Sequence, residues 1–368
     1  MSLKLMIPGP ISVADDVLAA VGAPVRPNYG PGWIPIHLEL KDMLRQIIGT
    51  SGRVFVTAGS GHVGAELIFQ SVLRRGERVL VGDNGFFGER WIEVLKRIGC
   101  EPVVVEAPLD QRLDPAAIAR AFAADPSIRT GLFVQLETGS AILNPIEEIA
   151  AICRAQGRLC IVDAVSSLAG TPLPMDAWGI DAVISASQKC LGGVPGLAVV
   201  AVNERVWEIA QAMPPSEVRS WYLHLTTWQK YEDESPNWHP YPATMPSPAM
   251  LGLHAALRAL TTEGLDARLA RYRQRADHLR ARLADIGLPL FVPADWMAPV
   301  LTTSIAPAGI RPADVMQAIL RTENIMIGVG LPPLSDRVLR FGHMGVGIDD
   351  ADIERMLAQL KLALANSL

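Results

Sequence analysis

Residues 159–196 read LCIVDAVSSLAGTPLPMDAWGIDAVISASQKCLGGVPG, and the fold is read outward from them. Two short apolar runs, LCIVD and DAVISAS, are bounded by turn signals, the pattern of strands buried on both faces of a parallel sheet. The first ends at Asp163 and the second leads into Lys189, two charged side chains that are costly to bury without a purpose. Ligands of open α/β sheets sit beyond the carboxyl ends of the strands, so both side chains are predicted to project into one crevice. The plainer explanation is an ordinary salt bridge at a strand end.

A carboxylate and an amine delivered to one crevice suit pyridoxal phosphate. That cofactor needs a lysine to form a Schiff base and an acid to keep its ring nitrogen protonated, so that the ring can take up electrons. The amine must also be neutral to attack, which desolvation and nearby cations favour. Small residues flank Lys189, with Ser185, Ala186 and Ser187 before it and Gly192 and Gly193 after it, leaving room for a flat molecule.

The run VDAVSSLAGTPLPMDAWGIDAVISASQKCLGG resembles the lysine region of the class V aminotransferases, in particular their alanine–glyoxylate and serine–glyoxylate branch. The resemblance extends from IPGP at residues 7–10 to VLRFGHMG at residues 338–345. It implies an α/β protein of fold type I that binds pyridoxal 5'-phosphate as a homodimer with shared active sites. The large domain would carry a mostly parallel, seven-stranded sheet, and a smaller α+β domain would follow. The expected division is an N-terminal arm at 1–15 that packs on the partner subunit, a large domain at 16–258 and a small domain at 259–368.

Composition agrees with an enzyme. At 368 residues the chain exceeds the roughly 250–300 at which single cores stop growing, so two domains are expected. Hydrophobic residues make up 49% and charged residues 19%, and the net charge is -5 without a long Lys/Arg cluster, which points away from nucleic acid and anionic lipid. No apolar run approaches the roughly 18 residues of a membrane span, and no basic start precedes a long apolar stretch, so a cytoplasmic protein is expected. The spacing of the four cysteines, Cys100, Cys153, Cys160 and Cys190, matches no zinc or redox pair, and Cys190 is expected to be packing beside the lysine.

Upstream, RVFVTAGSGHVGAELIFQSVL reads as a strand, a glycine-rich turn and a helix, whose free N–H groups make an anion site. Gly59, Gly61 and Gly64 fit G-x-G-x-x-G, and the next strand ends at Asp83, so the stretch also matches a dinucleotide fingerprint and a nicotinamide-dependent oxidoreductase. That alternative leaves Asp163 and Lys189 unexplained. The resemblance instead implies that Ser60, Gly61 and His62 hold the cofactor phosphate and that Asp83 is a turn residue.

Further roles follow from the resemblance. Phe87, in NGFFGER, stands where the family places an aromatic on the cofactor ring, replacing the usual tryptophan or tyrosine. Thr138 stands where a hydroxyl faces the cofactor's phenolic oxygen, and Gln188 adjoins the lysine. Tyr241 and Thr244 match a Y-x-x-T segment that reaches the phosphate in the neighbouring subunit. Arg340 stands at the substrate-carboxylate position, and a planar guanidinium can take a carboxylate by two parallel hydrogen bonds. Arg337 is its competitor, and the preceding VGLPPLSD loop offers no further arginine, which disfavours dicarboxylates.

The remaining segments read less sharply. The stretch 23–35, rich in proline and glycine around Tyr29 and Trp33, is a connector or a pocket wall. The stretch 213–248 is expected to be irregular, with its many aromatics buried against a second subunit. A helix near 265–286 carries many arginines, expected to form a solvated face.

The implied reaction is a ping-pong transamination in which Lys189 moves the proton of the donor, Asp163 keeps the ring protonated and Arg340 anchors the carboxylate. Alanine or serine would be the donor and glyoxylate or pyruvate the acceptor. Other donors of the same fold are 2-aminoethylphosphonate, ureidoglycine and pyridoxamine, and a non-catalytic binding protein is the remaining alternative.

Overall fold

The computed structural model describes residues 3–365; residues 1–2 of the expected arm and 366–368 of the small domain lie outside the described residues. Strand β1 (Lys4–Met6) opens the chain. There follow β2 (Arg53–Ala58), β3 (Arg78–Asp83), β4 (Glu101–Glu106) and β5 (Thr130–Val134), then a short hairpin of β6 (Leu136–Glu137) and β7 (Ile142–Leu143). Next come β8 (Leu159–Asp163), β9 (Ala182–Ala186) and β10 (Leu197–Val202), and finally β11 (Leu301–Ile305), β12 (Ile325–Val329) and β13 (Val338–Gly342).

The large sheet has seven strands in the order β2-β10-β9-β8-β5-β3-β4. Only β10 runs antiparallel to its neighbours; the other pairings are parallel. β5, β8 and β9 are buried along their whole length, as expected of strands covered by helices on both faces. The two apolar runs of residues 159–196 are β8 and β9, side by side at the centre. Their carboxyl ends therefore deliver Asp163 and, just beyond β9, Lys189 to one edge of the sheet.

The same topology removes the dinucleotide alternative. That fingerprint requires its glycine turn and its acidic residue to follow adjacent parallel strands. Here β2 pairs antiparallel with β10, and four strands separate it from β3, which ends at Asp83. Asp83 instead accepts a hydrogen bond from the Gly85 N–H at 3.1 Å, as a turn residue does.

The small domain holds a four-stranded sheet in the order β1-β12-β13-β11. The N-terminal arm is anchored within the chain, because β1 pairs in parallel with β12 and Met6 enters the small domain's own core. The boundary at 258 falls inside the helix Ser247–Glu263, whose Leu260 still packs in the large core. The change of core comes along the next helix, Leu265–Asp285: Tyr272 joins the large core, Leu279 and Leu283 the small one.

That second helix is also less solvated than its charge suggested. Arg268 is buried against Glu263, and Arg280 donates to the carbonyls of Ala294, Ala298 and Leu301. A guanidinium carries five donors, so it can take up several backbone carbonyls at once. Within 213–248 a helix forms over Leu225–Glu234 with Trp228 buried, whereas Trp221 and Trp238 stay 57% and 58% exposed. All four cysteines are free and buried. Among the described residues no helix is long and apolar enough to cross a membrane.

Candidate active site

Two adjoining cavities meet at Lys189 and Phe87. The first, about 180 Å³, lies over the ends of β8 and β9 and is lined by Ser60, Gly61, His62, Phe87, Trp91, Asp163, Val165 and Gln188 among others. The second, about 360 Å³, lies between the sheet and the small domain and includes Gly9, Phe86, Thr138, Met326, Leu331 and Arg340.

The phosphate candidates sit where helix geometry provides donors. Ser60 is the N-cap of the helix Gly61–Val72, and its hydroxyl makes no capping bond, so it and the first-turn amides are available to an anion. A Cβ on Gly61 would lie 2.7 Å from Val165 Cγ2, so the backbone approaches that wall as only glycine allows. The His62 ring packs on Trp91 with centroids 5.0 Å apart, and its buried Nε2 has no partner. Burial, with Arg90 nearby, holds His62 below the ordinary histidine range.

Asp163 is 4% exposed and fully engaged: Oδ2 accepts from Trp91 Nε1 and Oδ1 from the Val165 N–H, each at 2.8 Å. Burial pushes its pKa up, against the pull of those two donors and of Lys189. A carboxylate so placed is a strong acceptor for any proton brought into the cavity. Gln188 Oε1 is buried without a partner at the same cavity. Such an orphan has a cost of about 1–3 kcal/mol unless something occupies the cavity to satisfy it.

Lys189 Nζ donates to the Pro8 carbonyl. Burial is the main cause that lowers its pKa to about 8, and the Arg340 charge adds to it. The consequence is chemical. With a pKa near 8 about a tenth of the amine is neutral at pH 7, against well under a thousandth for an ordinary lysine. Neighbouring Cys190 is pushed up to about 12, chiefly by burial, and its Sγ contacts the Ser166 carbonyl, so it is packing.

Arg340 reaches the second cavity from β13 and is 8% exposed. Nε donates to the Val329 carbonyl at 2.6 Å and Nη1 to the Thr138 carbonyl at 2.8 Å, which fixes the plane of the guanidinium. Nη2 makes no hydrogen bond among the described residues. Burial lowers the Arg340 pKa to about 10, leaving it charged at neutral pH. Arg337 is not a competitor, being exposed over the Phe291 ring.

The structure thus brings together Ser60, Gly61, His62, Phe87, Asp163, Gln188 and Lys189 around one cavity, with Thr138 and Arg340 on the other. Tyr241 is 1% exposed, and its hydroxyl meets Trp33 Nε1 and His37 Nδ1, each at 2.9 Å, inside its own chain. Thr244 is exposed and lines neither cavity. Trp33 is correspondingly core rather than pocket wall, while Tyr29 stays on the surface against Trp238.

Trp91, Glu137 and the pair Pro8–Gly9 are absent from the sequence-predicted site. Trp91 follows Phe87 by four residues on the helix Phe86–Arg97, a spacing that puts both on one face and could have revealed it. Gly9 has φ +101, and a Cβ there would lie 2.5 Å from Lys189 Nζ. Sequence periodicity carries no signal for such a contact between segments 180 residues apart.

Residues 33–339 match the family described as aminotransferase class-V. The chain is 37% identical to a 2-aminoethylphosphonate–pyruvate transaminase of Burkholderia ambifaria over 309 residues, covering 83% of this chain and 80% of that protein. It is 30% identical to an (S)-ureidoglycine–glyoxylate transaminase of Bacillus subtilis over 380 residues, covering 98% and 90%. The crystal structure of an alanine–glyoxylate aminotransferase from Nostoc sp. superposes with a TM-score of 0.94 at 30% identity, covering 99% of this chain and 96% of that one.

Proposed function

The chain belongs to the class V aminotransferases, enzymes of fold type I, and from that premise we propose that it transfers an amino group from alanine or serine to glyoxylate or pyruvate. The observation that carries this reading is the meeting of three groups: the Lys189 amine, the Asp163 carboxylate beside it in one cavity, and the Arg340 guanidinium in the cavity that shares Lys189. An amine depressed to about 8 suits proton transfer near neutral pH.

The residues present fit pyridoxal 5'-phosphate. The uncapped Ser60 hydroxyl, the cradle at Gly61 and the unpartnered Gln188 Oε1 all face the first cavity. Ser60, Gly61 and His62 would hold the phosphate, Asp163 the ring nitrogen, Phe87 a ring face, Thr138 and Gln188 the remaining polar edge, and Lys189 the carbonyl carbon. When bound, the cofactor supplies an electrophilic carbon for amines and a protonated ring that takes up the electron pair of a broken bond.

The protein then orients and moves protons. Arg340, held flat by two carbonyls, offers Nη2 to the donor carboxylate, so the donor's amino group and Cα face Lys189. Lys189 Nζ takes the proton from Cα and later returns it. The Pro8 carbonyl receives an N–H of the amine and keeps it on that side of the cavity. Apart from Arg340 and Lys189, the second cavity is lined by uncharged residues such as Phe86, Met326 and Leu331, which favours a donor with an uncharged side chain. A homodimer accords with the exposed Trp221, Trp238 and Thr244 on one proline-rich segment, and the composition with a cytoplasmic enzyme.

The test is an absorption spectrum of the purified holoenzyme between about 300 and 500 nm. Alanine or serine is expected to bleach a visible band, which glyoxylate or pyruvate restores. A band that responds to 2-aminoethylphosphonate and to neither amino acid would replace the donor, the second reading that the 37% identical relative favours.

A further inference from the structure

Glu137 is completely buried between the two cavities, its neighbour Leu136 lining the first and Thr138 the second. We propose that Glu137 is a positioning residue for transamination: its carboxylate ties the first turn of the helix carrying Phe87 to the turn carrying Thr138, and through the Thr138 carbonyl aims Arg340 at the donor carboxylate. This rests on the aminotransferase reading.

The geometry is a chain of short contacts. Oε2 accepts from the Phe87 N–H at 2.9 Å and Oε1 from the Gly139 N–H at 2.8 Å. Gly85, the N-cap of the helix Phe86–Arg97, has no side chain to cap it, so Glu137 does so from another strand. The fit is close: a Cβ on Gly85 would lie 2.7 Å from Glu137 Cγ. On the other side, the Ala141 N–H donates to the Glu137 carbonyl at 2.8 Å, closing a turn in which Ala141 has φ 71. A non-glycine residue at positive φ persists only where its surroundings hold it.

That turn is a joint between the domains. The Ala298 N–H donates to the Ala141 carbonyl at 3.0 Å, and Ala141 and Ile142 pack with Met297 and Leu301. From β13, Arg340 Nη1 reaches the Thr138 carbonyl at 2.8 Å. A displacement of Glu137 therefore moves the Phe87 wall and the guanidinium together.

An ionised carboxylate offers a strong acceptor to each N–H, whereas a protonated acid leaves one of them the weaker hydroxyl oxygen and an amide turns a donor toward it. The charged groups facing Glu137 are Arg340 from β13, Asp163 from β8 and Asp83 from β3. Burial first, then the two aspartates, push its carboxyl up to about 7 against the pull of the two amides. Glu137 is thus charged above about pH 7, and its hold weakens as pH falls through that value.

The experiment measures propionate, a carboxylate without an amino group, binding to the holoenzyme by calorimetry, in wild type and Glu137→Gln, from pH 6 to 9. In the wild type, affinity is expected to fall several-fold as pH drops below about 7. In Glu137→Gln it is expected to be about tenfold weaker at pH 8 and flat with pH, with the KM for the amino donor rising more than kcat falls. A purely structural role would lower the melting temperature alone. Propionate affinity within twofold of wild type at pH 8 overturns the proposal. Should Glu137→Gln not fold, a flat wild-type profile overturns it by itself. Failure of the aminotransferase reading shows separately, as a visible band that no amino donor bleaches.

Discussion

The wall of the site built by the large sheet and the wall built by the small domain hold their polar groups in different ways. On the first, Asp163 is held by the Val165 amide two residues on and by Trp91 within the same domain, and the phosphate candidates are the first turn of one helix. On the second, Arg340 is held by backbone carbonyls of Val329 and Thr138, the latter 202 residues away, and the Pro8 carbonyl accepts from Lys189 of the first wall across 181 residues. The first wall is a local product of strand ends and helix starts. The second exists only when three segments distant in sequence have docked. Chemistry thus falls to the half built by the large sheet and substrate positioning to the half that depends on docking.

Substitutions sort by wall, and the largest effect belongs to the first. Lys189→Ala removes the group that moves the donor's proton, and turnover of alanine with glyoxylate is expected to fall at least about 10³-fold. Retained turnover would break the division at its root. Asp163→Asn keeps the hydrogen-bonding shape without the charge, and kcat is expected to fall about 10²-fold while the visible band persists. An undiminished kcat would mean that another group protonates the ring.

On the second wall the cost should appear in binding. Arg340→Gln removes a charge-assisted contact of about 1.5–3 kcal/mol, so KM for the donor is expected to rise about 10- to 100-fold with kcat less affected. A loss confined to kcat would put Arg340 with the first wall. Gly9→Ala is the gentlest probe: its Cβ would meet Lys189 at 2.5 Å in a backbone conformation that L side chains rarely adopt. It is expected to cost about 1–3 kcal/mol of stability, read by thermal melting, and several-fold in turnover. Wild-type behaviour would show that the arm is not part of the wall.

The two walls were also unequally legible. Asp163 and Lys189 could be read because two fully apolar runs each deliver a charge, a pattern that periodicity exposes. Gly59 to Gly64 was ambiguous, since any anion at a strand–turn–helix junction asks for the same small residues. The spacing of Tyr241 to Thr244 says nothing of Trp33 and His37, which enclose the Tyr241 hydroxyl. The arginines near 268–280 read as solvated, because a sequence does not show which backbone carbonyls will be left for a guanidinium.

By itself, then, the sequence determined the alternation of buried strands and helices, the pair of charged residues at two strand ends and the family to which the chain belongs. These are properties of local pattern, in which apolar period and punctuation dictate burial. Tertiary structure alone decided that four strands lie between β2 and β3, which removed the dinucleotide fingerprint, and that the arm joins its own small domain. It also decided that Glu137 and Pro8 stand beside the reacting groups. Strand order and docking depend on contacts between segments far apart in the chain, and such contacts leave no mark in the residues on either side of them.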